Sequence, residues 1–86
     1  MKGDIINIWS VYILRCSDNT LYTGITTNLE RRLNEHNHLK SGAKYTRTRR
    51  PVELFYCENC KDRVDASKRE YEIKKLSRKE KLSLVD

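Results

Sequence analysis

The feature that most restricts the fold of this chain is one run, Ile5 to Arg15, in which apolar, β-branched and aromatic residues follow one another almost without interruption. A strand with one wet face alternates polar and apolar residues. A run without that alternation suits a strand buried on both faces, at the centre of a sheet. The chain has 86 residues, of which 37% are hydrophobic and 35% charged, so this run uses much of the apolar material available. The length leaves room for one compact domain, residues 1–86, with a single thin core under a heavily solvated surface. No apolar run approaches the ~20 residues a membrane span needs, and the start of the chain lacks a secretory pattern, so the expected location is the cytoplasm.

Ser17-Asp18-Asn19 ends the first strand, and Leu21 to Ile25 reads as a second strand folding back on it in an antiparallel hairpin. Thr27 and Glu30 have the spacing of a capping box and open a helix running through Leu29, Leu33 and His36 to about Asn37. Pro51 leads into a third strand, Val52 to Cys57, with proline suited to its first position or to an edge. Asp62 or Asp65 caps a second helix carrying Val64, Ala66, Glu70, Ile73 and Leu76. Ser77 and Glu80 form another capping box, for a short last helix with Leu82 and Val85. The elements amount to an α+β domain of three strands and two to three helices.

Two of these helices place polar groups on their apolar faces. At about 100° per residue, Arg32 and His36 share an arc with Leu29 and Leu33, and Glu70 shares an arc of about 60° with Ala66 and Ile73. Tyr12 and Tyr22 sit on the hairpin beside them. A phosphodiester hydrolase needs a carboxylate to hold a hard divalent cation, a cation to meet charge on phosphate oxygens, and a base to take a proton from water. This set contains a candidate for each role. Plainer readings stand beside it: the tyrosines as ordinary strand aromatics, Arg32 and Glu70 as a structural ion pair, His36 as a hydrogen-bonded core histidine, and Gly24 as a bulge or close-packing position.

Eighteen Lys and Arg against twelve Asp and Glu give a formal net charge of +6, which favours an anionic partner. The segment from Asn37 to Arg50 contains Lys40, Lys44, Arg47, Arg49 and Arg50, interleaved with Tyr45, and no acidic residue. Such a segment reads as a cationic loop contacting nucleic-acid phosphates, with solvated surface charge as the alternative. The three cysteines, Cys16, Cys57 and Cys60, do not make a disulfide framework in a chain without an export signal. The CxxC spacing of Cys57 and Cys60 leaves a zinc or redox protein as a further reading.

Taken together, Val11-Tyr12-Ile13, Tyr22-Thr23-Gly24 and the stretch Asn28 to His36 resemble the signature of the GIY-YIG nuclease family. In that family a helical arginine follows the glycine of the second motif by eight residues, as Arg32 follows Gly24, and a histidine comes four residues later, as His36 does. The family's A-x-x-x-E pattern is matched by Ala66 to Glu70, so the resemblance runs from about residue 9 to 75. Ser10-Val11 stands where the family name has Gly-Ile, and Ile25 where some repair nucleases carry lysine.

The resemblance implies a three-stranded antiparallel sheet flanked by helices, with Tyr12, Tyr22, Arg32, His36 and Glu70 lining one concave site. It implies a metal-dependent endonuclease acting on DNA rather than RNA, with Glu70 binding one Mg²⁺ or Mn²⁺. Tyr12 would act as general base or position the water, Arg32 would stabilise the pentacovalent transition state, and Tyr22 and His36 would orient phosphate, water or base. Specificity in such enzymes often comes from attached domains, so a protein partner is expected here. A non-catalytic nucleic-acid-binding module on the same fold is the alternative. The resemblance also makes a geometric demand. A hairpin closed symmetrically about Asp18-Asn19 would pair Tyr12 with Ile25 and put the two tyrosines on opposite faces. Their convergence requires a loop of odd length or a bulge.

Overall fold

Strand β1, Trp9–Arg15, lies between the other two strands in the order β2-β1-β3, in a computed structural model that describes residues 8–85. Residues 5–7 of the expected first strand lie outside the described residues. Val11, Tyr12, Ile13 and Leu14 are all at most 2% exposed, as a strand covered on both faces requires. Strand β2 is Leu21–Thr26 and β3 is Glu53–Cys60, each antiparallel to β1. The sheet is flanked by α1, Leu29–His38; α2, Lys44–Arg47; α3, Arg63–Lys74; and α4, Arg78–Ser83. The α+β expectation holds, with one helix more than expected: the segment read as a plain loop folds a single turn, α2, over its middle.

The hairpin meets the demand placed on it. Five residues, Cys16 to Thr20, separate β1 from β2, and Cys16 and Asn19 close the turn through the Asn19 N–H and the Cys16 carbonyl at 2.8 Å. Asn19 takes the left-handed conformation, φ 69°, which asparagine tolerates better than most residues. The odd loop shifts the register so that Tyr12 opposes Gly24 and Leu14 opposes Tyr22. Residues 12, 14 and 22 therefore share one face of the sheet.

That face carries Tyr12, Leu14, Cys16 and Val52, with Tyr22 and the α1 residues Leu29 and Leu33 packed against them. The opposite face carries Val11, Ile13 and the α3 residue Ile73, joined by Leu21, Ile25, Phe55, Tyr56, Cys60 and Leu84. The sheet thus separates two half-cores, one beneath α1 and one beneath α3 and α4.

Helix boundaries follow side-chain capping. The N-cap of α1 is Asn28, whose side chain accepts from the Arg31 N–H at 3.0 Å. This corrects the expected Thr27 box, because the Thr26 hydroxyl already accepts from the Asn28 N–H and sets the chain entry one residue later. Asp62 caps α3, and the Ser77–Glu80 capping box of α4 is present in both directions. The third strand runs three residues beyond the expected Cys57, into the CENC segment, and lies at the sheet edge as its preceding proline suggests.

Candidate active site

Tyr12 sits at the middle of the central strand and lays its ring across Gly24 of the neighbouring strand. A Cβ at Gly24 would lie 2.5 Å from the phenol oxygen and 2.7 Å from Cζ, so the missing side chain makes the space the ring occupies. Beyond Gly24 the Tyr12 oxygen meets His36 Nε2 at 2.8 Å. His36 is fully buried and lies between the two tyrosines, with ring centroids 5.9 Å from Tyr12 and 5.3 Å from Tyr22, both edge-to-face. Burial pushes its pKa down to about 4, with the Arg32 and Arg50 charges adding to the effect, so the imidazole is neutral at neutral pH.

Arg32 projects from α1 one turn before His36. Its Nη1 donates to Glu35 Oε1 at 2.7 Å and to the Ser41 carbonyl at 2.9 Å. The carboxylate partner of Arg32 is thus Glu35, not Glu70. Burial pushes the Tyr12 phenol up to about 12; the nearby Arg32 guanidinium opposes that rise, and the Tyr22 and Glu70 charges add to it. Tyr12, Tyr22, Arg32 and His36 are brought together on one face. Glu70 lies within electrostatic reach of the phenol, and no hydrogen bond joins the two among the described residues. Beside Tyr12 and Arg32 a cavity of about 250 Å³ opens between α1 and the sheet, walled by Leu14, Leu29, Leu33 and Leu54, with Glu30 at its rim.

The cationic segment divides into two groups. Arg50 donates from Nε to the His36 carbonyl and from Nη2 to the Leu39 carbonyl, each at 2.6 Å, with a longer bond to the Glu35 carbonyl. Its guanidinium closes the carboxyl end of α1, where carbonyls lack helical partners. Arg49 lies over the Tyr45 ring at 3.8 Å and pairs with Asp18 at 3.1 Å. Both arginines have partners within the fold. Lys40, Lys44 and Arg47 are exposed and have no acidic partner among the described residues. Tyr45 is half-exposed and stacks on Tyr22 at 5.9 Å, so the basic segment is joined to the site through aromatic rings.

Sequence reasoning missed Thr46 and Asn37. Thr46 is fully buried, with its hydroxyl 2.8 Å from His36 Nδ1. Asn37 uses both ends of its amide on Val52, at 2.7 and 2.9 Å, tying α1 to the start of β3. The available signal for Thr46 was Gly42: a glycine in a charged segment marks a close approach, and a Cβ there would lie 2.4 Å from the Glu35 carbonyl oxygen.

The zinc or redox reading of Cys57 and Cys60 does not survive the fold. Both lie on β3, where Cys57 opposes Tyr12 and Cys60 opposes Trp9. A separation of three along a strand puts them on opposite faces. Among the described residues no group of three or more His, Cys, Asp or Glu side chains is placed to hold a metal ion.

The pattern of the GIY-YIG catalytic domain matches residues 8–83. The chain belongs to the GIY-YIG family. It is 62% identical over 77 residues to a UPF0213 protein of Desulfotalea psychrophila, covering 90% of this chain and 70% of that one. It is 59% identical over 75 residues to a UPF0213 protein of Syntrophus aciditrophicus, covering 87% and 86%. Among solved structures, a protein from E. faecalis matches with a TM-score of 0.65 at 43% identity, covering 93% of this chain and 84% of that one. A UPF0213 protein from Bacillus halodurans matches with a TM-score of 0.57 at 44% identity, covering 91% and 82%. A GIY-YIG domain implies nuclease-type activity on a nucleic-acid substrate, and GIY-YIG nucleases typically use divalent metals. No helix among the described residues is long and apolar enough to cross a membrane.

Proposed function

We propose that this GIY-YIG protein is a metal-dependent endonuclease that hydrolyses phosphodiester bonds in DNA, acting on branched or nicked substrates in repair or processing. The observation that carries this reading is the Tyr12 phenol, buried at the centre of the sheet yet bonded to His36, flanked by Arg32 and within the field of Glu70. A strand aromatic serving only the core has no need of a cation and a carboxylate around its oxygen.

Glu70 suits a metal of one kind. Mg²⁺ is commonly held by one or two carboxylates, with water and substrate phosphate completing its shell. Glu70 is the carboxylate whose charge acts on Tyr12 among the described residues, and its partner Lys74, at 3.3 Å, is more than half exposed and free to rotate away. A divalent cation bound there would supply positive charge to polarise the phosphate and to lower the pKa of neighbouring water and phenol.

The remaining chemistry falls to the chain itself. Tyr12, after losing its own proton to solvent, takes a proton from a water molecule as the water oxygen bonds to phosphorus and the bond from phosphorus to the leaving sugar oxygen breaks, and that oxygen takes a proton from solvent. Arg32 meets the negative charge gathering on the phosphate oxygens, and Tyr22 and His36 hold Tyr12 and the phosphate in position. Lys40, Lys44 and Arg47 contact backbone phosphates on either side, and a protein partner supplies the choice of substrate.

The test is cleavage of nicked, flapped, branched, single-stranded and double-stranded DNA, with RNA counterparts, in Mg²⁺, Mn²⁺ or chelator. Cleavage that needs metal and is lost in both Glu70→Ala and Arg32→Ala supports the proposal. Salt-sensitive binding without cleavage in any metal would instead make this a binding module. Activity in chelator, or full activity in both variants, would remove the mechanism.

A further inference from the structure

The pairing of β1 with β3 breaks step once, and the break decides what lines the cavity beside Tyr12. Ile13 opposes Tyr56, yet Leu14 opposes Leu54, so Phe55 is an extra residue in the edge strand. In an unbroken pair Phe55 would oppose Leu14 and turn its ring to the face that carries Tyr12 and α1. The shift instead sends Phe55, with Tyr56, to the half-core of Val11, Ile13 and Ile73. Leu54 takes its place on the Tyr12 face, where it lines the cavity and stays largely exposed. The backbone irregularity thus keeps an aromatic ring out of the space of about 250 Å³ between α1 and the sheet. Sites for drug-sized ligands run from roughly 300 to 1,000 Å³, so this one suits a single small ring system. Its leucine walls accept a neutral apolar surface and refuse a phosphate. Glu30 also lines it, without a basic partner among the described residues, and so repels anions while accepting from N–H groups.

We propose that this cavity is a subsite for one unpaired nucleobase of the strand being cut, beside the scissile phosphate. The position of the phosphate rests on the nuclease reading above. A nucleobase combines flat apolar faces with N–H donors on its edge, which are the two features that the leucines and Glu30 would take. Arg32 lines the same cavity, and among the described residues only its Nη1 is bonded, which leaves Nε and Nη2 to a phosphate at the opening. A base and its own phosphate are joined through one sugar, so a phosphate held at Arg32 brings its base within reach of the leucines. A base in a duplex must first be unstacked and unpaired, at a cost that is least where the nucleotide is already single-stranded. The subsite therefore favours DNA with unpaired nucleotides at the cut, such as a flap or branch, over intact duplex.

The experiment places 2-aminopurine, one position at a time, in the unpaired nucleotides of a flapped DNA and measures its fluorescence and the affinity in chelator, so that no turnover is needed. Binding of the full chain should brighten one position, because a base held among leucines is no longer stacked on its neighbours. Leu54→Trp, which fills the cavity, should abolish the brightening and weaken binding of flapped DNA about tenfold more than that of intact duplex; Leu54→Met should restore both. An abasic nucleotide at the bright position should weaken wild-type binding by about tenfold or more. No bright position in the wild-type complex overturns the proposal, as does brightening that persists in a folded Leu54→Trp protein. If Leu54→Trp fails to fold, the abasic scan decides, and affinity unaffected at every position overturns it. Brightening and abasic loss without cleavage in any metal would sink the nuclease reading and leave the cavity as a base-binding subsite. Cleavage without either would sink the subsite alone.

Discussion

Substituting Gly24 by alanine should disable the site without removing any charged or hydrogen-bonding group. The new Cβ would stand 2.5 Å from the Tyr12 oxygen and 2.7 Å from Cζ, whereas ordinary contacts to carbon fall at roughly 3.5–4.0 Å. The ring must therefore move by about 1 Å, and it has little room, since Tyr12 is 2% exposed. A shift of that size either stretches the 2.8 Å bond to His36 past hydrogen-bond range or drives the oxygen into the imidazole. Overpacking costs about 1–3 kcal/mol and a lost buried hydrogen bond about 1 kcal/mol, less up to ~1 kcal/mol regained by removing a strand glycine. A net loss of about 1–3 kcal/mol corresponds to a Tm lower by very roughly 5–20 °C in a domain of this size. Displacement of a reacting group by ~1 Å costs on the order of 10²-fold in rate. Thermal denaturation followed by circular dichroism, with single-turnover cleavage, gives both numbers. A Gly24→Ala protein with wild-type Tm and wild-type rate would mean that the Tyr12 ring does not lie across Gly24, and the site as described would be wrong.

Other consequences can be checked independently. Arg50→Ala, which strips three bonds from the carboxyl end of α1, should cost about 1.5–3 kcal/mol by urea denaturation; an unchanged midpoint would deny the capping role. Lys40→Ala, Lys44→Ala and Arg47→Ala should each lower the magnitude of the log–log salt slope for DNA binding by about 1, and slopes equal to wild type would exclude those side chains from phosphate contact. His36 is held neutral by burial, its pKa lowered from 6.5 to about 4, so the unfolded chain takes up a proton that the folded chain refuses. That contribution to stability is complete above the unfolded value and is lost as pH falls from 6.5 toward 4, by on the order of 3 kcal/mol. The difference in urea stability between wild type and His36→Gln across that range measures it, and parallel curves would show that His36 titrates normally.

The parts of the fold readable from sequence were those governed by local chemistry. A run without polar alternation could only be a covered central strand, and Asp62 and the Ser77–Glu80 box announced their helices because a carboxylate or hydroxyl there has a backbone amide to satisfy. Thr27 misled for the same reason: it had the right spacing, but Thr26 and Asn28 together gave the amides better partners. The inward tilt of Arg32, His36 and Glu70 was legible from helical angle alone. The odd-length hairpin loop could be stated only as a requirement, because register depends on one residue in the left-handed conformation at Asn19. Least legible was the basic segment. Charge composition treats its five Lys and Arg residues alike, whereas the fold directs Arg50 to helix carbonyls, Arg49 to Tyr45 and Asp18, and Thr46 to His36. Most of those assignments depend on contacts between different elements, ten or more residues apart, which no local pattern encodes.

The central claim is that the Tyr12 oxygen takes part in breaking a phosphodiester bond, and Tyr12→Phe tests it most directly because it removes that oxygen while keeping the ring over Gly24. Measured as a single-turnover rate on a DNA substrate at saturating protein in Mg²⁺, the variant should cleave about 10²–10⁴-fold more slowly than wild type, with DNA affinity unchanged. A Tyr12→Phe protein that cleaves at the wild-type rate would contradict the account.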